Sequence, residues 1–105
     1  MQLISATILH QELNNNSSYE IIDVRESYEY EICNIGSKHI PMAEVCLRLN
    51  EFSENKNIVI MCRTGKRAEA IANLLEKEYH MTNVFILAGG ILSWKEEVNN
   101  NLICE

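Results

Sequence analysis

A chain of 105 residues, 47% of them hydrophobic, suits one compact domain spanning 1–105 and is too short to divide into two. Its formal net charge of -6, from 15 acidic against 9 basic side chains, argues against broad affinity for nucleic acid or an anionic membrane surface, so any anion site must be local. No stretch approaches the roughly 20 apolar residues that span a bilayer, and Met1-Gln2-Leu3-Ile4-Ser5 lacks the regions of a signal peptide, so the expected location is cytoplasmic.

In chain order, Leu3-Ile4 is a short candidate strand, and Ser5 can cap a first helix running through Glu12, because its hydroxyl can accept from an orphan backbone N-H. The polar tract from Asn14 to Ser18 then reads as a surface loop. The apolar run within 19–24 is a buried strand ended by charge, and His39-Ile40 adds a short one. Pro41 suits the start of a helix over 42–52 with Val45, Leu49 and Phe52 inward. A further buried strand covers 58–61. The clearest helix runs from Lys66 to Tyr79, with Ile71, Leu74 and Leu75 on one face and Glu69, Glu76 and Lys77 turned away. A strand over 84–87, closed by Ala88-Gly89-Gly90, and a helix over 91–98 complete the pattern, leaving 99–105 as a loosely held tail. Strands alternating with helices over short connections imply right-handed crossovers. The expected fold class is therefore α/β, with a mostly parallel central sheet of about five strands covered by helices on both faces.

The four cysteines, Cys33, Cys46, Cys62 and Cys104, form no C-x-x-C pair that would suggest zinc or a dithiol centre. In a reducing compartment they are expected as free thiols. Cys46 reads as a small core hydrophobe on an apolar helical face, Cys33 as a buried thiol, and Cys104 as exposed. Cys62 differs, because it follows directly on a buried strand, where open α/β sheets bind ligands.

The residues after it, Arg63-Thr64-Gly65-Lys66-Arg67, have the composition of an anion cradle. Gly65 lets the backbone turn with its N-H groups inward, and the helix start adds orphan donors and the positive end of its dipole. Three cations stand within five residues, and the field is expected to favour thiolate over thiol. The thiolate attacks sulfur. The same surroundings would hold a persulfide anion and attract an anionic donor such as thiosulfate, so one arrangement serves both halves of a ping-pong cycle with no metal or organic cofactor. A core thiol merely ending a strand is the bland alternative, and the three adjacent cations weigh against it.

The sequence resembles rhodanese-like domains. The match is carried by Ile21-Ile22-Asp23-Val24-Arg25-Glu26 with Tyr28-Glu29, by Ile40-Pro41, by Cys62-Arg63-Thr64-Gly65-Lys66-Arg67-Ala68 and by Leu87-Ala88-Gly89-Gly90-Ile91-Leu92-Ser93-Trp94. Four motifs in the family's order cover the chain from about 19 to 94. The resemblance implies a thiosulfate sulfurtransferase-like enzyme in which Cys62 is the catalytic persulfide carrier. Arg63, Thr64, Gly65, Lys66 and Arg67 would bind the donor, with Arg67 closing the loop and Asp23 and Arg25 as a supporting acidic and basic pair. Donor and acceptor would be thiosulfate or a protein persulfide, and cyanide or a thiol. The chain departs from the family at 34–41, which is one residue shorter than usual before Ile40-Pro41, so access to the site is expected to differ.

Two other function classes are open. Phosphatases and arsenate reductases of related fold use a similar cysteine and arginine with five residues between them, because a phosphate needs a wider cradle; here four intervene. A regulatory or sulfur-carrier module without thiosulfate turnover is the second, though inactive modules commonly lose the cysteine or the cations, and this chain keeps both. His10, His39 and His80 show no ligand spacing and read as structural or solvated, with His39 the one whose segment approaches the loop in the family. Trp94 is expected to anchor the last helix to the core.

Overall fold

The computed structural model describes residues 2–15 and 18–104. In chain order these form β1 (Gln2–Ile4), α1 (Ala6–Asn15), β2 (Tyr19–Asp23), α2 (Ser27–Ile32), β3 (Lys38–His39), two 3-10 helices (Met42–Leu47 and Leu49–Glu51), β4 (Asn57–Met61), α3 (Lys66–Glu78), β5 (Val84–Leu87) and α4 (Gly90–Glu97). The five strands are all parallel, in the order β1-β5-β4-β2-β3. β4 is therefore central. Its side chains alternate between two cores: Ile58 and Ile60 join Ile71, Ala72 and Leu75 of α3 on one face, while Val59 and Met61 join Leu9 of α1 and Ile91 and Trp94 of α4 on the other. A strand buried on both faces must be apolar throughout, which is why 58–61 carries no polar residue. By the same alternation Cys62 belongs to the α3 face, where it is buried. Among the described residues no helix is long and apolar enough to cross a membrane.

The expected α/β architecture is present, and Trp94 is buried against α1, its ring edge-on to His10 at 5.8 Å. Ser5 caps α1 as expected, its hydroxyl accepting from the Ile8 N-H at 3.1 Å. α1 continues to Asn15, so Asn14 and Asn15 are helical and not loop; Asn16 and Ser17 of the expected loop lie outside the described residues. The helix expected over 42–52 is instead two 3-10 helices. In the tighter 3-10 spiral, residues three apart share a face. Met42 and Val45 pack inward, which turns Cys46 outward as an exposed free thiol and corrects its reading as a core residue. α2 has no buried residue and therefore no apolar period to betray it.

Two further expectations are overturned at the end of the chain. Cys33 and Cys104 are joined as a disulfide across 71 positions, with their Cα atoms 5.4 Å apart, so these two are not free thiols and Cys104 is half-buried. The tail is correspondingly tied down: Leu102 and Cys104 pack against the core on the α4 side. Glu105 lies outside the described residues.

Candidate active site

Cys62 stands immediately after β4, at the carboxyl end of the central strand. Residues 62–65 turn sharply, and Gly65, at φ +111°, occupies backbone space that L side chains rarely adopt. The turn directs two N-H groups at one sulfur: Gly65 N lies 3.0 Å and Ala68 N 3.4 Å from Cys62 Sγ. Both belong to the start of α3, where the first four N-H groups have no helical acceptor and the helix dipole is positive. The sulfur thus occupies an anion's position at a helix N-terminus.

The loop's carbonyls are held from behind. Ile91 N donates to Cys62 O at 2.9 Å and Leu92 N to Arg63 O at 3.3 Å, so the first turn of α4 takes up the carbonyls and leaves the loop's N-H groups facing the sulfur. This contact requires Gly90. A Cβ there would meet Arg63 O at 2.4 Å and Cys62 O at 2.5 Å, all backbone atoms, and φ is +63°. Replacing Gly90 by Ala should cost about 1–3 kcal/mol in denaturant unfolding and displace the loop. An unchanged unfolding midpoint would show that the two backbones do not touch in this way.

Of the expected donor-binding residues, Arg63, Thr64 and Lys66 are exposed at the loop's rim. Arg63 opens on a pocket of about 280 Å³ together with Arg25, Tyr28, Glu29, Ile32, Cys33, Ile91 and Cys104. Thr64, Gly65 and Lys66 line a second depression, of about 220 Å³, against Leu3 and Ala88. Arg67 is turned to Glu29: its two terminal nitrogens donate to the carboxylate oxygens at 2.7 and 2.9 Å. This bidentate pair ties α3 to α2, and Glu29 is a site residue that sequence reasoning did not single out beyond its place in a motif.

The Arg67 guanidinium lowers the Glu29 carboxyl pKa from 4.5 to about 2, while the carboxylate raises that of Arg67. A depressed carboxyl pKa means that the stabilisation is fully present above about pH 4.5 and is lost as pH falls from there toward 2. Because the Arg67 side chain is 34% exposed, we expect it to be worth only about 1 kcal/mol. Glu29→Gln should flatten the acid limb of the stability–pH profile in that window; an identical acid limb in the variant would remove the pair from the account.

Asp23 and Arg25 form a buried ion pair. Both are buried, and the Asp23 carboxylate accepts from Arg25 Nη2 at 2.7 Å, from Nε at 2.9 and 3.1 Å, and from the Arg25 backbone N-H at 3.1 Å. The remaining guanidinium donors reach Cys33 O at 2.7 Å and Glu29 O at 3.3 Å, with Nη1 3.7 Å from Cys33 Sγ. His39 stacks on Tyr30 and its Nε2 lies 2.7 Å from Arg25 O, a structural contact. Segment 34–41 therefore holds the backbone at Arg25 and supplies none of the pocket's lining residues.

The pattern of the Rhodanese-like domain family matches residues 5–97. The chain is 38% identical over 92 residues to the putative sulfur carrier protein YrkF of Bacillus subtilis, an alignment covering 87% of this chain and 49% of that protein, so it spans about half that relative's length. It is 30% identical over 93 residues to a sulfurtransferase of Allochromatium vinosum, covering 87% and 85%. Among solved structures, a rhodanese-related protein from Thermoplasma volcanium superposes with a TM-score of 0.80 at 28% identity, over 93% of this chain and 94% of that one.

Proposed function

The chain belongs to the rhodanese-like domain family, and from that premise we propose that it is a sulfurtransferase in which Cys62 carries a sulfane sulfur as a persulfide. The observation that carries the proposal is the convergence of Gly65 N and Ala68 N on Cys62 Sγ within a loop of only four residues between Cys62 and Arg67. The Cys62 thiolate attacks the outer sulfur of thiosulfate, the S-S bond breaks, sulfite leaves with the electron pair, and the loop N-H groups hold the terminal sulfur anion. Cyanide or a thiolate then takes that sulfur, and its bonding pair returns to Cys62. Arg63, Thr64 and Lys66 at the rim attract and orient the anionic donor, while Arg67, through Glu29, keeps the loop closed on α2. The buried Asp23–Arg25 pair joins the end of β2 to the end of α2 and so supports that side of the pocket.

A sulfur carrier loaded by a protein persulfide would use the same Cys62 and differ only in its donor; the relative named as a putative sulfur carrier favours keeping that reading. Phosphate chemistry is disfavoured by the width of the loop. Parallel assays separate the reactions. Thiosulfate and cyanide should yield thiocyanate, and an aryl phosphate should release no phosphate; phosphate release without thiocyanate would overturn the proposal.

A further inference from the structure

Three cations follow Cys62 in the loop, yet each shares its surroundings with a carboxylate. Arg67 is held by Glu29 through both terminal nitrogens, at 2.7 and 2.9 Å. Arg63 shares its pocket with the same Glu29, and Lys66 shares its depression with Glu69. At the sulfur itself, the two N-H groups that meet Cys62 Sγ, from Gly65 and Ala68, carry no net charge. Glu29 is fixed in place: its Oε1 also accepts from the Glu26 N-H at 3.0 Å, as part of the α2 capping box, and its side chain is only 14% exposed. The Arg67 guanidinium holds its carboxyl at about 2, so Glu29 is ionised throughout the neutral range. Arg67 in turn is acted on by Glu29 first and by Cys62 as well, so the carboxylate and the reacting sulfur draw on one guanidinium.

We propose that Glu29 is a specificity-determining residue that selects the sulfur donor by charge: it disfavours dianions such as thiosulfate and favours donors carrying at most one negative charge, such as thiosulfonates and organic persulfides. The proposal rests on the reading of Cys62 as the persulfide carrier and narrows its donor class. A donor drawn to Arg63 lies within the field of the Glu29 carboxylate, because both line one pocket, and Arg67, already paired, offsets little of the repulsion. Coulomb energy scales with the donor's charge, so a dianion meets twice the repulsion that a monoanion meets at the same place. The chemistry is the same for both. The Cys62 thiolate attacks the outer sulfur, the S-S bond breaks, and the electron pair leaves on sulfite from thiosulfate or on methanesulfinate from methanethiosulfonate. These two donors differ by a methyl group in place of a charged oxygen, so the ratio of their rates reads the charge.

The test measures kcat/KM for each donor in the full chain, with cyanide as the acceptor; in a ping-pong cycle this constant reports the loading step alone. Any change in the Cys62 thiolate itself affects both donors and cancels in their ratio. Glu29→Gln keeps the side chain's length and one acceptor for Arg67, and the pair is too exposed for its loss to unfold the chain. In this variant the ratio of thiosulfate to methanethiosulfonate should rise at least about fivefold over wild type. Glu29→Asp, which shifts the contact and keeps the charge, should hold the ratio within about twofold. Arg67→Gln leaves Glu29 uncompensated and should lower it. A merely structural tie would slow both donors alike in all three variants. An unchanged ratio in Glu29→Gln, or a ratio that moves as far in Glu29→Asp, would overturn the selectivity while leaving sulfur transfer intact. Should Glu29→Gln not fold, an unchanged ratio in Arg67→Gln would overturn it. Wild type that yields thiocyanate from neither donor would overturn the Cys62 reading, and the selectivity with it.

Discussion

Cys62→Ser should lose at least about three orders of magnitude in thiocyanate formation while melting within a few degrees of wild type. The loss is large because no other group here can take over the covalent step. Cys46 is exposed on the 3-10 helix, and Cys33 and Cys104 are joined to each other. The fold should survive because a serine hydroxyl can accept from Gly65 N and Ala68 N as the sulfur does at 3.0 and 3.4 Å, so the loop keeps its donors satisfied. Steady-state kinetics and a thermal melt of the same preparation check both halves. Residual turnover within tenfold of wild type would move the nucleophile elsewhere.

Asp23→Ala should be the most destabilising of the substitutions considered, by about 3–5 kcal/mol in denaturant unfolding, out of the roughly 5–15 kcal/mol typical of a domain. The reason lies less in the lost ion pair than in what remains. Arg25 is only 2% exposed, and without the carboxylate its guanidinium would stay buried with an unbalanced charge and only Cys33 O, Glu29 O and the Cys33 sulfur around it. Pairing Asp23→Ala with Arg25→Met should recover part of the stability, since an apolar side chain of similar length needs no counter-charge. A single-variant loss below about 1 kcal/mol would mean that water reaches Arg25 and that the pair is not a buried support.

What the sequence displayed was whatever repeats locally. The runs at 21–22, 58–61 and 84–87 are apolar because those strands are covered on both faces, and Cys62 could be placed at a strand end from its neighbours alone. The cations after it and Gly65 announced the cradle for the same reason. The rest depends on partners far away in the chain. Glu29 and Arg67 are 38 positions apart and Cys33 and Cys104 are 71 apart, and no spacing rule pairs residues across such distances. α2 escaped because a six-residue helix with no buried side chain has no period to read. Cys46 was misplaced because an apolar segment after a proline fits an α-helical and a 3-10 spiral equally well, and only packing chose between them. Gly90 looked like a turn residue; its close approach to the Cys62 and Arg63 carbonyls becomes visible only when β5 and β4 lie side by side.

The central claim, a sulfane sulfur on Cys62, is tested most directly by intact mass after incubation with thiosulfate, followed by cyanide, for wild type and Cys62→Ser. A gain of about one sulfur mass on wild type alone, removed by cyanide, is the result predicted for a thiolate nucleophile in this loop. An adduct that persists in Cys62→Ser, or wild-type protein that gains no sulfur from thiosulfate or from a protein persulfide, would contradict it.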